Sequence, residues 1–295
     1  MLSVRGLIRT YGDKTVLDDV SFDVLPGRIT GFVGANGAGK TTTMRIILGV
    51  LAPSAGTVHW GDAPVTTQLR RSFGYMPEER GLYPKMRVQD QLVFFARLHG
   101  AAKDAAASRA ISLLDRLGLG EQAQDVLETL SLGNQQRVQI AAALMHEPVA
   151  LVLDEPFSGL DPIAVDSMMR LLREEASGQV PVLFSSHQLD LVERLCDDVV
   201  VLSHGRVVAS GPVESMRVGE RFRYRIRLAD DIDAGWLREL PGVEVVEVDG
   251  PRALLDIVGD EAAENLLKRI MSRAPVREFA PNRPALADIF KEAVQ

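Results

Sequence analysis

Up to about residue 210, short apolar runs alternate with longer stretches of helical period. The runs "RITGFVG", "VALVLDEP", "VPVLFSSH" and "DDVVVLSHG" are apolar at almost every position before they close on small or polar residues. Continuous runs of this kind fit strands buried on both faces of a parallel sheet. Between them lie stretches such as "KTTTMRIILGVL" and "DPIAVDSMMRLLREEA", which read as helices. The alternation predicts an α/β layered domain. From Arg87 to Met145 the pattern is helical throughout ("VQDQLVFFARLHG", "DAAASRAISLLDRLG"). That stretch is expected to form a helical insert.

The pattern changes after "SGPVESMRVGE". "RFRYRIRLA" alternates strictly, with Arg221, Arg223, Arg225 and Arg227 on one face and Phe222, Tyr224, Ile226 and Leu228 on the other. This predicts a half-buried strand. The arginine row reads as a solvated face balanced by acids such as Glu247 and Asp249 on a neighbouring strand. A short helix ("DAGWLREL"), two strands ("GVEVVEVDG", "RALLDIVG"), a helix ("EAAENLLKRIMSRA") and a strand ("VREFA") follow. The order β-α-β-β-α-β predicts a ferredoxin-like α+β domain, and a last helix is expected over "ALADIFKEAV". The predicted domains are residues 1–217, with a helical part over about 87–145, and residues 218–295.

Length and composition add limits. A chain of 295 residues can bury a large core and carry a small second domain. A net charge of −7 argues against nonspecific nucleic-acid binding as the main task. The single cysteine, Cys196, excludes a disulfide framework or a cysteine-rich metal site and suits a reducing cytoplasm. No apolar run reaches the ~18 residues of a membrane span. Arg5 and Arg9 interrupt any signal-peptide core in "MLSVRGLIRTY". A membrane role would therefore need a separate partner.

Two segments carry chemistry. "GANGAGKTT", Gly34 to Thr42, fits G-x-x-x-x-G-K-[ST] between a strand and a helix. Its glycines let backbone N–H groups turn toward a phosphate, and the helix start adds its positive end. Gly34, Asn36, Gly37, Ala38, Gly39, Lys40, Thr41 and Thr42 are the candidate nucleotide contacts. Lys40 would reach the β- and γ-phosphates, and the Thr41 hydroxyl would ligate Mg²⁺. "ALVLDEP" sets Asp154 and Glu155 just past an apolar strand. Asp154 suits the metal, and Glu155 suits polarising an attacking water. A third segment, "LSLGNQQR" (Leu130 to Arg137), opens a helix with a serine, a glycine and three successive amides. A plain amphipathic helix needs none of these, so the string is expected to touch something outside its own domain.

The ordered set "GANGAGKTT", "LSLGNQQR", "LVLDEP", "SGLD" and "SSH" resembles the ATP-binding subunits of ABC transporters, over residues 1 to about 215. The resemblance implies a P-loop NTPase fold of the ABC ATPase type, with a RecA-like core and a helical subdomain. It also implies ATP and Mg²⁺ as ligands and ATP hydrolysis as the activity. By the same resemblance, Ser131 and the Gly133 N–H contact nucleotide held by an opposing subunit. Asp161 belongs to the loop that crosses the dimer. Tyr11 matches the aromatic that stacks on adenine, and His187 matches the histidine at the γ-phosphate. Leu132 and Asn134 depart from the usual glycine and glutamine. Glu78, in "FGYMPEERGLYPKMRV", stands where the family usually has a metal-ligating glutamine.

"PEERGLYPKM" and the small C-terminal domain resemble a bacterial branch of sodium- or antibiotic-type exporters. That implies a separate membrane permease, a homodimer or heterodimer of ATP-binding subunits, no nucleic-acid partner, and a cytoplasmic subunit attached to the inner face of the membrane. Two other classes are weighed against it. An ABC ATPase acting on ribosomes or nucleic acid would usually have two cassettes or long coiled coils. A regulator without turnover would not need Glu155 and His187.

Overall fold

A computed structural model describes residues 1–79, 81–217, 222–257 and 263–282. Arg80, Arg221 and the helix expected over residues 285–294 lie outside the described residues. The chain forms two compact units that divide after Pro212.

The first unit opens with β1 (Leu2–Tyr11), β2 (Lys14–Val24), β3 (Ile29–Val33), α1 (Lys40–Ile47), β4 (Ala55–Trp60), β5 (Ala63–Pro64), α2 (Thr67–Arg70) and β6 (Phe73–Met76). Three helices follow: α3 (Val88–Leu98), α4 (Lys103–Arg116) and α5 (Leu132–Leu144). The unit closes with β7 (Ala150–Leu153), α6 (Pro162–Ser177), β8 (Val182–Ser186), α7 (Leu189–Leu195), β9 (Asp198–Ser203) and β10 (Arg206–Pro212).

The four predicted apolar runs are β3, β7, β8 and β9, and every residue in them is buried. They lie in one sheet of order β10-β9-β3-β8-β7-β6, whose inner pairings are parallel. Helices on the faces of such a sheet require strands without a polar side, which is what the sequence supplies. A second sheet, β2-β1-β4-β5, is antiparallel. Its apolar side chains join Phe32, Ala38, Met44, Ile46 and Leu202 in one core.

The second unit contains α8 (Val213–Arg217), β11 (Phe222–Leu228), β12 (Val243–Asp249), β13 (Arg252–Ile257), α9 (Ala263–Met271) and β14 (Val276–Pro281). Its sheet order, β12-β13-β11-β14, is ferredoxin-like. The helix expected in "DAGWLREL" is a 3-10 turn over Ala234–Glu239, capped by Asp233. The acids beside the arginine row also differ from those expected. Arg223 grips the buried Asp256 with two bonds of 2.7 and 3.0 Å, Arg225 pairs with Glu278, and Arg227 pairs with Asp230. Glu247 and Asp249 sit on β12, and β13 separates β12 from β11. Among the described residues, no helix is long and apolar enough to cross a membrane.

Candidate functional site

The loop from Gly34 to Gly39 joins β3 to α1. Gly39 is left-handed at φ 110°, and a Cβ there would meet Leu17 Cδ2 at 2.5 Å, so only glycine fits. Lys40 begins α1 and is buried; its Nζ donates to the Gly34 carbonyl at 2.6 Å and to the Ala35 carbonyl at 3.3 Å. A cleft of about 730 Å³ opens over this loop. Asn36, Gly37, Gly39, Lys40, Thr41 and Thr42 line it, and Glu78, Asp154 and Glu155 face them. Burial pushes the Lys40 ammonium below its usual range, and Glu155, Asp154 and Glu78 oppose that shift. The cleft thus pairs one desolvated cation with three carboxylates. Ala38 is buried beneath the loop rather than in the cleft lining.

Adjacent parallel strands bring the acids together. Met76, the end of β6, pairs with Leu153, the end of β7, and the Asp154 N–H donates to the Met76 carbonyl at 2.8 Å. Asp154 is 1% exposed. Its Oδ1 accepts from Ser185 Oγ at 2.5 Å, and its Oδ2 is buried with no hydrogen-bond partner among the described residues. A buried carboxylate oxygen without a partner is costly unless a cation or bound water completes it. The Ser185 hydroxyl also accepts from the Glu155 N–H at 2.8 Å. Glu155 has the left-handed backbone φ of 49°, a conformation that persists only where neighbours enforce it. Its Oε1 lies 3.0 Å from His187 Nδ1, just past the end of β8.

The other candidates lie apart from this cleft. Ser131 caps α5, and its Oγ accepts from the Asn134 N–H at 3.3 Å. Its hydroxyl proton remains free to donate outward. Gly133 lies in the first turn, where helical N–H groups have no acceptor within the helix. It neighbours Leu160 of the "SGLD" loop. Leu132 is 61% exposed on the same tip. Asp161 caps α6 by accepting from the Ala164 N–H at 2.8 Å. Tyr11 is half exposed, with the Arg9 guanidinium 4.4 Å above its ring, and does not line the cleft.

The amide string needs a correction. Gln135 and Gln136 are buried and turn inward. Gln135 Nε2 donates to the Leu130 carbonyl at 2.9 Å, and Gln136 Nε2 donates to the carbonyls of Glu155 and Pro156. Of the string, Ser131, Leu132, Gly133 and Asn134 form the outward tip.

Sequence reasoning missed Ser185, and it missed Lys14, Thr15, Val16, His204 and Gly205 as cleft lining. The "SS" before His187 was the only signal for Ser185. His204 and Gly205 follow β9, the parallel neighbour of β3, and Lys14, Thr15 and Val16 come from β2 of the other sheet, so no local pattern marks them.

A family model described as ABC transporter matches residues 17–158, and one described as ATP-binding protein DrrA1-3-like, C-terminal domain, matches residues 211–294. The chain is similar to the ABC transporter ATP-binding protein YhaQ of Bacillus subtilis (strain 168). The two are 36% identical over 296 aligned positions, covering 100% of this chain and 98% of that protein. It is 33% identical to Nod factor export ATP-binding protein I of Paraburkholderia xenovorans (strain LB400), over 96% of this chain and 93% of the relative. Linearmycin resistance ATP-binding protein LnrL of Bacillus subtilis (strain 168) is 33% identical over 72% of this chain and 69% of its own length. Among solved structures, one described as the ATP binding subunit of an ABC transporter has a TM-score of 0.68 at 33% identity. It covers 74% of this chain and 92% of that one.

Proposed function

Because the chain belongs to the ATP-binding proteins of ABC transporters, ATPases by family, we propose that it drives a separate membrane permease exporting a small molecule or ion. The observation that carries the site reading is the ring of Asp154, Glu155 and Glu78 opposite Lys40, with the Asp154 Oδ2 left unmet. In this reading the backbone of Gly34, Asn36, Gly37, Ala38 and Gly39, with Lys40 and Thr42, holds the phosphates, and Tyr11 meets the base. Mg²⁺ would be held by Thr41, Asp154 and Glu78, all hard oxygen donors. Among the described residues, no three His, Cys, Asp or Glu side chains converge on a metal site by themselves. That suits a cation shared with substrate phosphates. When bound, the cation supplies charge neutralisation at the β- and γ-oxygens.

Glu155 takes the role of general base toward water, oriented by His187. Ser131, Gly133 and Asp161 then act on nucleotide held by a second ATP-binding subunit, identical or related. The dimer closes because these contacts exist only with the γ-phosphate present, and it opens when phosphate leaves. The relatives' names, which include Nod factor export and linearmycin resistance, support export of small molecules. The subunit would sit on the cytoplasmic face of the membrane through its permease, docked near the Glu78 loop. The residues from about 218 would form an accessory domain.

Light scattering of Glu155→Gln with ATP and Mg²⁺ tests the pairing. The expected result is a nucleotide-dependent dimer. A species that stays monomeric at saturating MgATP overturns the composite-site reading. Co-purification of a membrane subunit with the chain, lost on disruption of residues 77–79, tests the partner.

A further inference from the structure

Helix α5 does more than present Ser131. Gln136 and Gln139 follow in its second and third turns, and they are 7% and 3% exposed. Gln136 Nε2 donates to the carbonyls of Glu155 and Pro156, both at 3.2 Å. Gln139 Nε2 donates to the carbonyl of Pro77 at 2.7 Å and to that of Glu79 at 3.4 Å. The first amide therefore grips the main chain at Glu155. The second grips it on both sides of Glu78. These are two of the three carboxylates that face Lys40 across the cleft.

The helix is seated firmly enough to act as a reference. It packs on β6, and Gly74 marks the contact: a Cβ there would meet the Ala143 carbonyl oxygen at 2.5 Å. The bonds also reinforce a turn in which the Ser158 N–H donates to the Glu155 carbonyl at 3.2 Å. Glu155 is left-handed, its N–H is bound by Ser185, and its carbonyl is bound by Gln136. Both polar groups of a strained residue are thus fixed by side chains from other elements.

We propose that Gln136 and Gln139 are positioning residues: α5 sets, through four main-chain carbonyls, where Glu155 and Glu78 stand in the cleft. The inference rests on the proposed roles of Glu155 as base and Glu78 as metal ligand. It has a mechanical consequence. The helix whose tip meets nucleotide on the second subunit is tied to the carboxylates of its own site, so engagement at one site reaches the other.

Carbonyl oxygens only accept, so positions 136 and 139 must donate. That requirement separates positioning from space-filling. The test uses the full chain, with Mn²⁺ binding followed by electron paramagnetic resonance in the presence of a non-hydrolysable ATP analogue, alongside ATPase assays and thermal melts. Gln139→Met fills the space without a donor. It is expected to weaken Mn²⁺ binding by about ten- to a hundredfold, the range of outer-shell metal partners. Gln136→Met is expected to lower kcat by a similar factor while Mn²⁺ affinity holds.

Unchanged Mn²⁺ affinity in Gln139→Met overturns the inference. Glu78→Ala in the same assay locates the failure. If it weakens Mn²⁺ binding while Gln139→Met does not, only the positioning inference falls. If neither variant changes Mn²⁺ affinity, the role of Glu78 falls with it.

Discussion

His187 Nδ1 stands 3.0 Å from Glu155 Oε1, so the ends of neighbouring strands β8 and β7 share one hydrogen bond at the mouth of the cleft. In its proposed role as general base, a carboxylate held this way would lose its chemistry, not its shape, when its charge is removed. Glu155→Gln should retain nucleotide binding and lose about a hundred- to ten-thousandfold in kcat. His187→Ala should also lower kcat. The double variant should fall short of the product of the two losses, because both act through one carboxylate. Single-turnover ATPase rates of the three variants check this.

Lys40 is a buried cation facing three acids, and its ammonium donates into its own loop. In the proposed role, removing it takes the buried ammonium away from the phosphates, although Lys14 also lines the cleft. Charged hydrogen bonds contribute about 1.5–3 kcal/mol, so Lys40→Ala should weaken ATP binding by about ten- to a hundredfold. Calorimetric titration with a non-hydrolysable analogue measures it; retained affinity would count against the phosphate-loop assignment.

Ser185 joins the two acids, donating to Asp154 Oδ1 and accepting from the Glu155 N–H. Ser185→Ala strips a partner from a carboxylate whose other oxygen is already unmet. Leaving such a group unsatisfied costs about 1–3 kcal/mol. The expected outcome is a lower denaturation midpoint together with a reduced kcat. Ser185→Thr, which keeps the hydroxyl, should recover both in part. Urea titration and steady-state ATPase assays separate the two effects.

The parallel strands were legible because burial on both faces writes itself as unbroken apolar sequence, as in "VALVLDEP" and "VPVLFSSH". The antiparallel sheet was harder to read. β1 mixes buried and exposed positions and shifts register against β2 after Val4, Leu7 and Arg9, so no clean alternation survives. The phosphate loop and the Asp154–Glu155 pair were legible because their chemistry demands residues in fixed local order. Gln136 was misread because an amide at a helix start looks the same whether it faces outward or meets a carbonyl of another strand. The partners of Arg223 and Arg225 depended on strand order, which puts β13 and β14, and not β12, beside β11.

His146 supplies a pH dependence that is separate from the cleft. Its ring stacks on His99 with centroids 4.0 Å apart, and its Nε2 lies 3.2 Å from the Phe73 carbonyl. Burial, then the neighbouring His99, lower its pKa from 6.5 to about 4; the Phe73 carbonyl opposes this and Arg109 adds to it. The folded form therefore stays neutral where the unfolded chain has taken up a proton. Stability from this group is intact above the unfolded value and is lost as pH falls from 6.5 toward about 4. At pH 5 the loss should amount to about 2 kcal/mol. His146→Gln keeps a donor for the Phe73 carbonyl but cannot titrate. The variant should lose less stability than wild type between pH 7.5 and pH 5, by about that amount. Urea unfolding of both proteins at the two pH values gives the difference, and equal losses would show that His146 takes up its proton in the folded protein as readily as in the unfolded chain.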